Sequence, residues 1–418
     1  MDTPLYTVAL ITMAALTAPA MSAWTVDPSG GGDATTIQGA VDLASSGDFI
    51  DVHPGIYTDD DGDGVVVEIG ALSALDVKIR AIGSGVIIDG QSSAQGMVIW
   101  DGDVSIEGIE FLDCSATNSA GGGGVLAKNN GDSIDILSCT FVNCENSLSS
   151  GIGGSVSVYS TTSSSPITFT ITDSSFFTST ASTGGGVFLT DANVAMSNCV
   201  FDGCSANNGG AIEIRGGTTT MNSCSFTDNS ASNGGAIRVN SNSADVTMTL
   251  TSFTSNDSSW GSAVSLEKGM LTMLSCDVDN NVATRSGALH LRDGVEAEVS
   301  NTFFSRNEAI ESGYDIYHAI SGQSTAVLTL SGSTFCDHLA SGEIEIAYTD
   351  GGGNDLGNWC CPGDIDDDGD VDAGDLTNFL FAYGNVLVTS DDREDVARNG
   401  GADVLDLLGM LQTWGTCE

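Results

Sequence analysis

The chain has 418 residues, with 11 Lys and Arg against 56 Asp and Glu and a formal charge of -45. That balance argues against nucleic acid and anionic membrane surfaces as partners, because both are held by a basic face. It favours cations, calcium above all, and the length leaves room for two domains.

Residues 1–23 read as a secretory signal peptide. Leu5 to Leu16 is an apolar run of 12 residues, too short to span a bilayer, and Ala18-Pro19-Ala20 and Ala20-Met21-Ser22 offer small-residue cleavage patterns. The segment departs from the common pattern in carrying Asp2 and no Lys or Arg, so a short buried helix is the alternative. No other stretch is apolar and long enough for a transmembrane segment. The expectation is a secreted or cell-surface protein, and in that setting the eleven cysteines are disulfide candidates.

Residues 24–350 are expected to form one solenoid. Ile37, Val41 and Ala44 are spaced for one face of a short helix, and Ile50 and Val52 before Pro54-Gly55 read as a strand and a turn. A short amphipathic helix can cover the open end of a solenoid. The segment 25–58 resembles the N-terminal cap of pectin-lyase-like β-helix proteins. Short apolar runs between residues 65 and 100, such as Val65-Val66-Val67 and Val86-Ile87-Ile88, read as the first, less regular coils.

The regular repeat covers residues 104–345. Its anchors are Phe111, Phe141, Phe176, Phe201, Phe226, Phe253, Val278, Phe304 and Phe335, at intervals of 25 to 35 residues. A period in that range marks a solenoid. Apolar residues fall at -7, -5, -2 and 0 from each anchor. Steps of two are strand alternation, and the step of three is a corner. A Gly-Gly or Ser-Gly step with Ala-Ile or Ala-Leu after it is a second bend. The fold class is therefore all-β: a parallel β-helix with an N-terminal capping helix, right-handed by the general rule for parallel crossovers. Equivalent side chains should stack, Phe on Phe, Met on Met, and Asn229, Asn256, Asn281 and Asn307 in an internal Asn ladder. The paired Phe-x-x-Asn and Gly-Gly-Ala-Ile motifs resemble the repeats of polymorphic outer-membrane proteins, which implies an adhesive surface β-helix. That family's C-terminal membrane barrel has no room here.

After a linker at 351–359 the composition changes, and residues 360–418 read as a separate calcium module. Asp364, Asp366, Asp368, Asp370, Asp372 and Asp375 occupy positions 1, 3, 5, 7, 9 and 12 of a calcium loop, with Gly369 at the sharp turn in position 6. Residues 376–383 read as the helix leaving the loop. A second, weaker site counts back from a matching helix to Asp395, Asn399, Gly401, Asp403 and Asp406, with Ala397 in place of one ligand. Asp at position 12 and the absence of an entering helix resemble the type I dockerin repeat, an EF-hand relative. The resemblance implies a protein partner for the module. Dockerins meet cohesins through polar residues at positions 10 and 11, and here these are Ala373-Gly374 and Val404-Leu405. Cys360, Cys361 and Cys417 bracket the module and are candidates for a disulfide closing it. Asp59, Asp61 and Asp63 form a further acidic loop with an incomplete ligand set, read as a solvated turn.

No catalytic residue is assigned. Polysaccharide lyases and hydrolases use this fold, and a Lys or Arg flanked by carboxylates in one groove would mark one. Two outward stripes are expected after the Gly-Gly step: Glu213, Arg238, Ser265 and His290, then Arg215, Asn240, Glu267 and Arg292. Glu213 beside Arg238 reads as an exposed ion pair. Cys139, Cys199, Cys224 and Cys276 form one column and Cys114, Cys144 and Cys204 another, read as disulfide clips with buried thiols as the alternative. The expected function is non-catalytic adhesion or binding to an extracellular glycan or cell-surface partner; the alternative is an extracellular polysaccharide lyase or hydrolase.

Overall fold

The computed structural model describes residues 22–129, 132–160, 166–310, 313–319, 326–336, 344–358 and 370–383, with isolated positions between 404 and 416. Residues 1–21 of the expected signal segment lie outside the described residues, while Ala23 opens the first strand of the solenoid, Ala23–Val26. From Ala23 to Asn358 every strand pair is parallel, and each coil pairs with the coil 20 to 35 residues away. The coils stack into a β-helix with one long sheet and a second sheet built of three-residue strands around the Phe anchors. A smaller third sheet spans four coils from Ser230 to Ala309.

Helix α1 (Ile37–Leu43) caps the N-terminal end. Thr36 caps it by accepting from the Gly39 amide at 3.0 Å, and Ile37, Ala40 and Val41 are buried. Asp48 ties the first strand to this cap. Its carboxylate accepts from the Ser22 and Ser45 amides at 2.8 and 2.9 Å and from Trp24 Nε1 at 3.0 Å. These bonds hold its carboxyl below the usual carboxylate range.

Every anchor ring is fully buried. Phe111, Phe141, Phe176, Phe201, Phe226 and Phe253 stack almost parallel at 4.5 to 5.0 Å between centroids, the rung spacing of a sheet. Val278 interrupts the stack before Phe304 and Phe335 resume it at 4.7 Å. Met196, Met221, Met248 and Met273 align in register beside them. Corners flank the short strand on both sides. Around Val200–Asp202 these are Asn198 at φ 53° and Gly203 at φ 66°, both left-handed. The first corner matches the expected phase reset; the second is an addition. The Gly-Gly bend is a close backbone approach, since a Cβ on Gly210 would sit 2.0 Å from the Gly235 carbonyl oxygen.

The Asn ladder forms as expected and runs in one direction. Asn229 Nδ2 donates to Asn256 Oδ1, Asn256 to Asn281 and Asn281 to Asn307, at 2.8 to 3.0 Å. Asn307 Nδ2 then donates to the fully buried Asp315 at 2.8 Å.

Two expectations are corrected. The seven rung cysteines, Cys114, Cys139, Cys144, Cys199, Cys204, Cys224 and Cys276, are free and buried, not clipped into disulfides. Each serves as a small apolar filler with a weak donor: Cys139 Sγ points at the Leu137 and Ile106 carbonyls at 3.4 and 3.7 Å. The stretch 351–359 is not a free linker, because Asp355–Asn358 pairs with Thr334–Cys336 as a further rung of the short-strand sheet. Cys336 is disulfide-bonded; Cys360, Cys361 and Cys417 lie outside the described residues.

Candidate functional site

Three chemical features emerge from the coils, and only one gathers scarce groups together. The first is the acidic turn at Asp59, Asp61 and Asp63, whose carboxylate oxygens lie within 4.8 Å of one another. Asp59 is committed to its own loop, accepting from the Gly62 and Gly64 amides at 2.8 and 2.9 Å. The turn stands beside a cavity of about 300 Å³ against α1, lined also by Asp42 and Glu68.

The second is the C-terminal module. Asp370–Val371 pairs antiparallel with Gly415–Thr416, so the two ends of the module meet. Val371 is buried, as its place at position 8 of the loop predicts. Helix α2 (Ala373–Ala382) starts directly after Asp372, in a capping box with Asp375: the Asp372 amide donates to Asp375 Oδ2 at 2.7 Å. Asp375 is fully buried. This half of the loop fits a calcium site, with position 9 capping the exit helix and a buried carboxylate at position 12. Asp364, Asp366, Asp368 and the second set, Asp395, Asn399, Gly401, Asp403 and Asp406, lie outside the described residues.

The third is a column on the outer face of the long sheet. Lys128 Nζ lies over the Trp100 ring at 4.9 Å from its centroid, Lys128 lies opposite Tyr159, Tyr159 opposite Thr190, and Thr190 opposite Arg215. Asn240, Glu267 with Lys268, and Arg292 continue it. Five of the eleven Lys and Arg of the chain stand on this column or next to it: Lys128, Arg215, Arg238, Lys268 and Arg292. In a molecule of charge -45 that is a concentration of cations on one face.

The adjoining column is where expectation and structure part. Glu213 is fully buried, so its pair with Arg238 is not the exposed ion pair the alternation suggests. Glu213 Oε1 accepts from Arg215 Nε at 2.9 Å and Arg238 Nη1 at 3.1 Å, while Oε2 has no hydrogen-bond partner. Burial pushes the Glu213 carboxyl up, against the pull of the two arginines. Arg238 also faces Glu267 Oε1 at 3.8 Å, and Glu267 Oε2 accepts from Arg292. Side-chain exposure is 40% at Arg215 and 45% at Arg292, but 13% at Arg238 and 0% at Glu213. Arg215 lies 5.1 Å from the Phe188 ring. Arg238 is thus the cation flanked by carboxylates that would mark a lyase.

Sequence reading also missed a Ser–His contact. Ser265 Oγ meets His290 Nδ1 at 3.1 Å, and burial pushes the imidazole down to about 4, so it is neutral. Ser265 is fully buried and His290 nearly so. A nucleophile there has no access to a substrate.

Residues 123–304 match the family model described as a right handed beta helix region. The fold is a right-handed parallel β-helix. No curated protein matches the chain. Similar solved structures include a mannuronic acid specific polysaccharide family 6 lyase from human gut microbiota, at 12% identity over 79% of this chain and 82% of that one, TM-score 0.48. Another is pectin methylesterase from carrot, at 10% identity over 81% and 89%, TM-score 0.30. At these identities and scores neither bears on function. No helix among the described residues is long and apolar enough to cross a membrane.

Proposed function

We propose that this protein is an exported β-helix that binds an acidic polysaccharide along the column from Trp100 to Arg292 without cleaving it. The observation that carries the reading is the gathering of five scarce cations on one face, interleaved with the exposed or half-buried rings of Trp100 and Tyr159. Guanidinium groups recognise carboxylates by paired hydrogen bonds, and an aromatic face suits the apolar face of a sugar ring. Rungs about 4.8 Å apart give the column a regular spacing along the solenoid axis.

Replacing Arg215 and Arg292 together with alanine is expected to weaken retention on an immobilised polyuronate at least about tenfold, the equivalent of 1.4 kcal/mol. Wild-type retention should fall as salt rises, since these cations are solvent-exposed. Retention unchanged in the double variant would sink the reading.

Cleavage of the same polymer is the second reading, favoured by the placement of Arg238 between Glu213 and Glu267. A lyase base must reach a sugar proton, and Arg238 is 13% exposed with its Nη1 turned to Glu213. Release of reducing ends or of unsaturated uronides, followed by ultraviolet absorbance, would establish cleavage and overturn pure binding.

For the C-terminal module we propose calcium at Asp364, Asp366, Asp368, Asp370, Asp372 and Asp375, with weaker binding at the second loop and a protein partner for the module. Calorimetric titration of the full chain with calcium should show binding that Asp364→Asn weakens about tenfold or more. An unchanged titration curve in the variant would remove the site.

A further inference from the structure

Of the eleven cysteines, seven are free rung thiols and Cys336 is disulfide-bonded. The partner of Cys336 is therefore Cys360, Cys361 or Cys417. Cys336 follows the anchor Phe335 as Asp202 follows Phe201, on the side of the short strand that faces away from the core. In earlier coils that position is half-buried, at Val142, Phe177, Asp202, Thr227 and Thr254, yet Cys336 is fully buried. More chain lies over Cys336 than over its equivalents. Strand Asp355–Asn358 passes beside it, with Asn358 opposite Cys336. Cys360 and Cys361 follow two and three residues later. Cys417 has a different neighbour, because Thr416 before it lies opposite Asp370 inside the module.

We infer that Cys336 is joined to Cys360 or Cys361, and that the one left over is joined to Cys417. Were Cys336 paired with Cys417, the adjacent Cys360 and Cys361 would be left to each other. Their Cα atoms are about 3.8 Å apart, and a disulfide needs roughly 4.4–6.8 Å. Each bond forms as two thiols lose two protons and two electrons to an external disulfide, which becomes two thiols. The oxidising setting rests on the reading of the chain as exported; the pairing is independent of what the column binds. The first bond straps the entry of the C-terminal module to the last rung, where the stack of coils would otherwise end open. The second ties the end of the module back to its entry. A partner held by the module is then linked to the Trp100–Arg292 column, the proposed polymer track, through a covalent strap and not through a free peptide.

The test maps the bonds in the full chain. The protein is equilibrated with oxidised and reduced glutathione, unfolded in an alkylating agent and cut before aspartate. The relevant peptides are then 315–336, 355–363 and 406–418. Mass spectrometry should find one species in which all three are linked, with the seven rung cysteines alkylated. In Cys336→Ser, 355–363 should stay linked to 406–418, and its one alkylated cysteine identifies the partner of Cys336. A species joining 315–336 to 406–418 alone would overturn the inference, and so would full alkylation of all three peptides. Because glutathione supplies the oxidant, full alkylation refutes the strap whether or not the chain is exported, and it leaves retention on polyuronate as a separate question.

Discussion

Asn256→Ala is expected to destabilise the middle of the solenoid by about 3 kcal/mol or more, the sum of several buried groups left without partners. Asn256 Oδ1 accepts from both the backbone amide and the side-chain amide of Asn229, each at 3.0 Å. Its Nδ2 donates to the Phe226 carbonyl at 3.0 Å and to Asn281 Oδ1 at 2.8 Å. Alanine strands two donors and one backbone acceptor where no water reaches. Asn281 Oδ1 keeps the backbone amide of residue 256, so the damage falls on the preceding coil. Asn256→Asp should be worse, since it retains the acceptor, loses the donor and buries a charge against two carbonyl-type oxygens. Coils contact mainly their neighbours, so unfolding need not be all-or-none. Hydrogen exchange is the suitable measurement. Protection should fall from about residue 225 to 282 while strand Asp48–Val52 at the cap keeps its own. Uniform protection in the variant would show that the ladder contributes little.

The ladder was legible in the sequence because its signal is translational. Phe201, Phe226 and Phe253 repeat at near-constant spacing, and each carries its Cys or Asn three residues later, so stacking follows from period alone. The same logic exposed the Gly-Gly bend and the first corner of each coil. What the period does not carry is how far one coil shields its own outer face. Alternation correctly sends Glu213 away from the apolar core of Ile212 and Ile214, yet Glu213 is buried. The chain before each Gly-Gly step folds back onto that outer column: a Cβ on Gly209 would lie 2.9 Å from the Glu213 nitrogen, and one on Gly234 2.9 Å from Arg238 Cβ. Outward in the sheet is therefore not outward in the molecule. The bulge at Glu267, where Val239 lies opposite Leu266 but Asn240 opposite Lys268, was hidden for a related reason. It breaks the register by one residue, and counting from the glycine assumes that the register is kept. The rung cysteines misled through composition, since a thiol packed under a carbonyl and a thiol in a disulfide look alike in a string of letters. The proposed calcium loop rests on ligand spacing alone; among its described residues, helix α2 starts directly after Asp372 in a capping box with Asp375.

The buried pair gives the sharpest separation of structure from function. Arg238→Met is expected to cost about 3–5 kcal/mol, because it leaves the Glu213 carboxylate in the interior with Arg215 as its one remaining cation. Pairing it with Glu213→Leu should recover most of that loss or exceed it, since an apolar pair of similar volume avoids the desolvation cost of two charges. The pH dependence supplies an independent check on the cause. Burial raises the Glu213 carboxyl in the folded state, and Arg238 is the strongest influence holding it down. A carboxyl whose folded pKa lies above its unfolded value favours the folded state most when protonated, and that contribution is lost as pH rises through the folded pKa. Removing Arg238 raises that pKa further and widens the window. The Arg238→Met variant should therefore regain stability relative to wild type as pH falls from neutral toward the ordinary carboxylate range, and Arg238→Met with Glu213→Leu should show no such recovery. Denaturant midpoints across that pH range decide it. A deficit in Arg238→Met that stays constant with pH would mean that the lost packing of the arginine stem, not a stranded carboxylate, sets the cost. If the double variant folds well and still binds polyuronate through Arg215 and Arg292, the buried pair is scaffold for the track; if binding disappears in a well-folded double variant, Arg238 touches the polymer directly.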